Sequence, residues 1–361
     1  MGCNRNAAAS PYFWKGVPVN KTYETGLPSW EPGAPSYLAL QDGHDRQFSY
    51  LRLSITDVCN FSCNYCLPDG YQCESKTTPI SLSEIKQVVT IFAKKGINKV
   101  RITGGEPTVR KDLVEIIRTV KNIPGIKTVA MTTNGYKLGE YIGDWLDAGL
   151  DALNVSIDSL DPAVFHMITG HNRLKEIMAG LDKALALGLK TLKVNAVLLK
   201  SYNFNEFERF LDWIKDTPIS LRFIELMETS DNREYFHANH VSGEEIQQRL
   251  EKSGWLQKIR AQNAGPAMEY QHADYQGSIG LIMPYSKDFC STCNRLRISS
   301  LGKLHLCLFG EGGLDLRPYL APGQEQLLSQ VVDKGLQTKP ETHYLQANNT
   351  GTTRHLAMLG G

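Results

Sequence analysis

The chain has 361 residues, with 39 Lys plus Arg against 38 Asp plus Glu and a formal net charge of +1. That length buries a large core without cross-links, and the near balance of charge, with no block of like residues, excludes a broad nucleic-acid or membrane-surface face. No apolar run reaches the roughly 18 residues of a membrane span and no signal-peptide pattern is visible, so a cytoplasmic location is expected, in which the eight cysteines read as metal or redox ligands before disulfides.

Residues 1–45 hold Pro11, Pro18, Pro28, Pro32 and Pro35 with little periodicity, and are expected to form a poorly ordered leader without chemistry. From Phe48 onward, short β-branched or apolar runs alternate with helical patterns, as repeated βα units do. Six strands are read: Tyr50–Ile55, Lys99–Thr103, Thr128–Thr132, Ala152–Ile157, Thr191–Leu198 and Ser220–Leu226. Between them, Ile85, Val88, Val89, Phe92 and Ala93 make one helical face behind a Ser81-x-x-Glu84 capping box. Leu113, Ile116, Ile117 and Val120 make another, as do Phe207, Phe210, Leu211 and Ile214. Periodicity does not choose between an open doubly wound sheet and a partial barrel, but both place ligands at the strands' C-terminal ends. The βα region is taken as 46–265. After it, antiparallel strands around Ser278–Met283 and Arg295–Ser299 and a helix near Gln324–Lys334 suggest an appendage, 266–361, that is not a further βα unit.

Directly after the first strand, Cys59, Cys63 and Cys66 place three thiols on one loop. A structural zinc or an electron-transfer cluster usually takes four protein ligands, whereas three thiolates on a [4Fe–4S] cubane leave one iron open. This x3, x2 spacing with an aromatic, Tyr65, before the third Cys resembles the radical S-adenosylmethionine (SAM) superfamily. The resemblance implies a (β/α)6 partial barrel and SAM on the open iron. Gly104-Gly105-Glu106-Pro107 resembles the superfamily's motif for the methionyl amine, with Gly105 as the contact. Asn154–Asp158, including Ser156, resembles its polar SAM patch, and Met227 stands where the superfamily meets adenine.

Cys290, Cys293 and Cys307 form a second triplet, and on spacing alone a zinc site completed by His305 competes with a second cluster. Cys3 and Cys73 belong to neither group and are read as bystanders. The second triplet's surroundings, Phe289 to Arg297, Gly302-Lys303, Cys307-Leu308-Phe309 and a terminal Gly360-Gly361, resemble the MoaA family, the GTP 3′,8-cyclases of molybdenum cofactor biosynthesis. The resemblance covers about Tyr50 to Gly361 and implies a second [4Fe–4S] cluster whose open iron binds the guanine of GTP. By motif match the GTP contacts fall on Arg52, Arg101, Thr132, Lys193, Arg295, Leu296 and Arg297, with Gly360 and Gly361 reaching into the site. Arg295 and Arg297 share a strand face by the two-residue period, and Arg's planar fork suits phosphate oxygens.

The implied reaction starts with a 5′-deoxyadenosyl radical that takes the ribose 3′ hydrogen. The carbon radical closes on C8 of guanine to give (8S)-3′,8-cyclo-7,8-dihydro-GTP. No side chain is required as a general base; the cofactors carry the chemistry and the protein supplies position and dryness. The family also implies an external one-electron reductant and a MoaC-type enzyme downstream, and a homodimer is a possible assembly. The alternatives are another radical SAM enzyme with an auxiliary cluster, such as a peptide-modifying one, and a zinc-bearing adaptor protein.

Overall fold

The computed structural model describes residues 39–72, 78–259, 265–310, 312–347, 349–351 and 353–360. Cys3, Cys73, Gly361 and most of the leader lie outside them. Within this chain, strands β1 (Tyr50–Ser54), β2 (Lys99–Thr103), β3 (Thr128–Thr133), β4 (Ala152–Ser156), β5 (Thr191–Leu198) and β6 (Ser220–Glu225) pair side by side in sequential order, all parallel. Sequential order without a reversal is the barrel topology, and it removes the doubly wound sheet.

The helices are α1 (Leu82–Lys94), α2 (Leu113–Lys121), α3 (Leu138–Asp147), α4 (Pro162–Thr169), α5 (Leu174–Ala186), α6 (Phe207–Lys215), α7 (Arg233–Asn239), α8 (Gly243–Lys252) and α9 (Glu325–Leu336). The capping box at Ser81 forms as its sequence requires: the Ser81 side chain accepts from Glu84 N, and Ser81 N donates to Glu84 Oε2 at 2.7 Å. The apolar faces of α1, α2 and α6 are buried in one core with the outward-facing residues of the sheet.

The C-terminal region differs from the sequence reading. Strands β7 (Leu256–Gln257), β8 (Met268–Gln271), β9 (Ser278–Ile282), β10 (Arg295–Ile298), β11 (Lys303–His305) and β12 (Leu314–Asp315) complete one twelve-stranded sheet. β9 lies parallel to β6 and β10 lies parallel to β1, so both extend the barrel at opposite edges. They are antiparallel only to the short strands outside them, β8 and β11. An apolar run identifies a strand but not the direction of a partner so far away in sequence. Because one cavity is lined by Arg297 of β10, Arg52 of β1, Arg222 of β6 and Ile282 of β9, the sheet must curl until its two edges face each other, as an incomplete barrel.

The expected leader also ends earlier than residue 45. Leu40 is buried and its N–H donates to Lys95 O, while Asp42 and Arg46 form a buried ion pair at 2.7 Å.

Candidate functional site

Past the end of β1, Thr56–Val58 lies against the turn that follows β2. Gly105 N donates to Thr56 O at 2.9 Å and Glu106 N to Val58 O at 2.8 Å. A Cβ on Gly104 would stand 2.3 Å from Thr56 O, and one on Gly105 2.5 Å from Asp57 O and Val58 O. Both positions therefore require glycine, and the Gly-Gly pair is what lets the turn seat the loop that carries Cys59.

The first three cysteines border a cavity of about 150 Å³, together with Tyr65, Gly105, Ser156 and Met227. Two buried carboxylates face it. Glu106 accepts from Thr133 Oγ1 at 2.7 Å, Asn134 N at 2.6 Å and Thr108 N at 3.0 Å, which fixes its position. Asp158 accepts from Tyr65 Oη at 3.0 Å and Val197 N at 2.8 Å, and burial, only partly offset by these donors, raises it to about 6.

Burial also pushes the thiols up, Cys59 to about 11, Cys66 to about 12 and Cys63 well above its ordinary value. Three thiolates in this place require a cationic partner such as the iron of a cluster. Among the described residues no three His, Cys, Asp or Glu side chains converge on a single-ion position; these thiols edge a cavity instead. The donor set fits a three-thiolate cluster.

A second cavity of about 390 Å³ runs along the inside of the barrel and shares Thr132, Asn195, Ile224 and Met227 with the first. Its wall carries two cross-strand rows. Arg297, Arg52 and Arg101 are register partners on β10, β1 and β2; Arg295, Tyr50 and Lys99 are partners on the same strands. Like charges directly opposite destabilise a sheet unless something anionic lies between them. Tyr50 absorbs part of the charge: Arg101 Nε donates to its hydroxyl. Burial pushes that hydroxyl up, but Arg101, Arg52 and Lys99 outweigh burial and bring it down to about 7. Burial and the neighbouring arginines together hold Arg52 down to about 9 and Arg297 to about 10. The buried Nε of Arg297 and of Arg222 find no hydrogen-bond partner among the described residues. A polyanion meets all of these demands at once.

Cys290, Cys293 and Cys307 lie on the wall of this basic cavity. Burial raises Cys293, yet Arg295, Lys339 and Arg297 bring it to about 7. The loop is anchored from a distance by Arg46, whose Nη1 donates to Cys290 O at 3.2 Å and Glu341 O at 2.6 Å. His305 is not among the residues that line this cavity. Its ring fills the space over Gly313, where a Cβ would stand 2.7 Å from Nε2, and burial pushes it down to about 4.

The tail closes over the smaller cavity. Leu356, Ala357 and Gly360 line it, and Arg52 Nη2 donates to Gly360 O. Gly360 has φ +61°, and a Cβ there would stand 2.3 Å from Thr103 Oγ1. Of the sequence-derived residues, Arg52, Arg101, Thr132, Lys193, Arg295 and Arg297 meet in the basic cavity. Leu296 does not: it lies between the two arginines, and its side chain is buried in the core. Sequence reasoning missed Tyr50, Lys99, Asn195 and Arg222, which also line it. The first three stand two residues from Arg52, Arg101 and Lys193, so the strand period could have found them. Glu269, on β8, carried no such signal.

Two family models match the chain: the Radical SAM superfamily over residues 53–214 and Molybdenum Cofactor Synthesis C over 219–345. Among curated relatives, the GTP 3′,8-cyclase of Aeromonas hydrophila is 55% identical over 92% of this chain and 99% of its own length. That of Vibrio parahaemolyticus is 54% identical over 89% of this chain and 97% of its own. Among solved structures, Streptococcus suis SuiB bound to S-adenosylmethionine superposes with a TM-score of 0.57 at 13% identity, over 82% of this chain and 69% of that one, a likeness of fold. With a glycine-seated three-cysteine loop, an adjoining arginine-lined cavity and this identity along nearly its whole length, the chain belongs to the GTP 3′,8-cyclase family of radical SAM enzymes.

Proposed function

We propose that the protein converts GTP into (8S)-3′,8-cyclo-7,8-dihydro-GTP, the first step of molybdenum cofactor biosynthesis, with SAM in the smaller cavity and GTP in the basic one. The observation that carries this reading is the shared wall: Thr132, Asn195, Ile224 and Met227 border both cavities, so two bound molecules would touch. Cys59, Cys63 and Cys66 hold a [4Fe–4S] cluster that, when bound with SAM, supplies the 5′-deoxyadenosyl radical as hydrogen-abstracting agent. Gly105, Ser156, Tyr65 and Met227 orient SAM, and the fixed Glu106 carboxylate, directly after the Gly-Gly pair, suits its cationic amine.

Cys290, Cys293 and Cys307 hold the second [4Fe–4S] cluster and with it the guanine end of GTP. The arginine rows bind the triphosphate, in place of the glycine-rich backbone cradle that the sequence lacks. Arg52 has a double role, since it also holds Gly360; tail and nucleotide are then ordered together, and water is kept from the ribose. An external one-electron donor and a MoaC-type enzyme acting on the product complete the scheme. Among the described residues no helix is long and apolar enough to cross a membrane.

The test is anaerobic incubation of the reconstituted, reduced protein with SAM and GTP. The expected result is 5′-deoxyadenosine together with the cyclic nucleotide. Deoxyadenosine formed with a peptide and not with GTP would sink the assignment.

A further inference from the structure

Among the described residues that line the basic cavity, seven are Lys or Arg and one is an acid, Glu269. Its placement follows from register. Arg222 of β6 pairs with Gly280 of β9, which pairs with Glu269 of β8, so a residue without a side chain separates the two. A Cβ at Gly280 would stand 3.1 Å from Arg222 Cγ. Across that gap a single oxygen, Glu269 Oε1, takes Arg222 Nη2 at 3.0 Å and Lys193 Nζ at 3.5 Å. The partners are unequal: the Arg222 side chain is 9% exposed and that of Glu269 34%. The base is built into the wall, while the acid comes from an outlying strand at the cavity's margin. Arg222 keeps a buried Nε without a partner, so Glu269 satisfies only part of its guanidinium.

We propose that Glu269 is an affinity-setting residue whose carboxylate occupies, between Lys193 and Arg222, the position that a phosphate oxygen of the nucleotide takes in the bound state. This rests on the reading of GTP as substrate. The carboxylate keeps the buried Arg222 and the partly exposed Lys193 paired while the cavity is empty, and the triphosphate must displace it or lie beside it. Either event weakens binding, because one breaks two ion pairs and the other sets like charges together. The opposite role, a carboxylate that merely positions Lys193 and Arg222, predicts the opposite response to its removal.

The experiment compares wild type, Glu269→Gln and Glu269→Asp as reconstituted full chains, by calorimetric titration with GTP and with guanosine. Glu269→Gln is expected to bind GTP on the order of tenfold more tightly. Its affinity for guanosine, which has no phosphate, should stay at the wild-type value. Glu269→Asp, which keeps the charge, should stay within about twofold of wild type for GTP. Unchanged or weaker GTP binding by Glu269→Gln, with wild type binding GTP, overturns this inference alone. If wild type itself binds no GTP, the functional reading falls and this inference with it. Tightening that is equal for guanosine and GTP also overturns it, since the effect would not act through phosphate.

Discussion

Cys59, Cys63 and Cys66 sit beside two buried carboxylates, Glu106 and Asp158, whereas Cys290, Cys293 and Cys307 share a cavity with Arg295 and Arg297. Burial raises all three thiols of the first set, but neighbouring cations bring Cys293 of the second down to about 7. The first set thus stands beside carboxylates, whereas Cys293 of the second stands among cations. On the proposed reading, a sulfonium cofactor suits the first surroundings and a triphosphate suits the second. The largest effects are expected from removing one thiol of each set. Cys63→Ala is expected to bring 5′-deoxyadenosine to background. Cys293→Ala should still form deoxyadenosine from SAM while the cyclic nucleotide falls to background, and each variant should lose about half of the iron. Equal loss of both products in Cys293→Ala would show that the two sites do not work separately.

The tail is where the two regions meet, and its variant ranks next. Gly360→Ala adds a Cβ that would stand 2.3 Å from Thr103 Oγ1 at a residue with φ +61°, so the tail must leave its seat over the first cavity. Cyclic product should fall on the order of a hundredfold through lost positioning. The strain is local to the contact with Thr103, so the melting temperature should shift by no more than about 4 °C. A larger fall in melting temperature with activity retained would make the tail a structural strap rather than part of the site.

A smaller effect is expected in the arginine rows. Arg297→Lys keeps the charge but loses the planar fork, and should raise KM for GTP about tenfold while KM for SAM is unchanged. A parallel rise in both constants would mean that the row shapes the barrel rather than binding the nucleotide.

The parts of this arrangement were unequally legible beforehand. Strands β1 to β6 could be read because parallel strands covered by helices are near-continuous apolar runs broken by turns; Thr191–Leu198 is found with the bounds expected for it. The triplets could be read because their ligands are close in sequence. The parallel docking of β9 and β10 could not, since Tyr50 meets Arg295 only after almost the entire barrel has intervened. Arg222 lies on a correctly read strand and was passed over because a lone cation there resembles a strand-edge residue. Its meaning depends on Arg101, Lys193 and Glu269, which the barrel brings from other strands. Glu269 stands on a four-residue strand with no alternation of burial, and nothing local distinguishes it from a surface acid.

The smallest expected effect concerns pH, and it separates the two cavities without any mutation in the cysteine loops. Burial, together with Arg222, Lys99 and Arg101, lowers Lys193 to about 8 against the opposing pull of Glu269. Tyr50, which faces Arg101, Arg52 and Lys99, is brought to about 7. As pH rises through these values Tyr50 gains a negative charge and Lys193 loses a positive one, so both changes make the basic cavity less positive. A triphosphate, already ionised over this range, then binds less well. KM for GTP should rise several-fold between about pH 7 and 9, with the inflection set by the two groups together. KM for SAM has no such dependence on this pair, because neither lines the smaller cavity. In Tyr50→Phe the lower part of the rise should vanish, and in Lys193→Arg, which stays charged, the upper part. A KM for GTP that stays flat across this range in the wild type would mean that the phosphates lie elsewhere along the arginine rows, away from Lys193 and Tyr50.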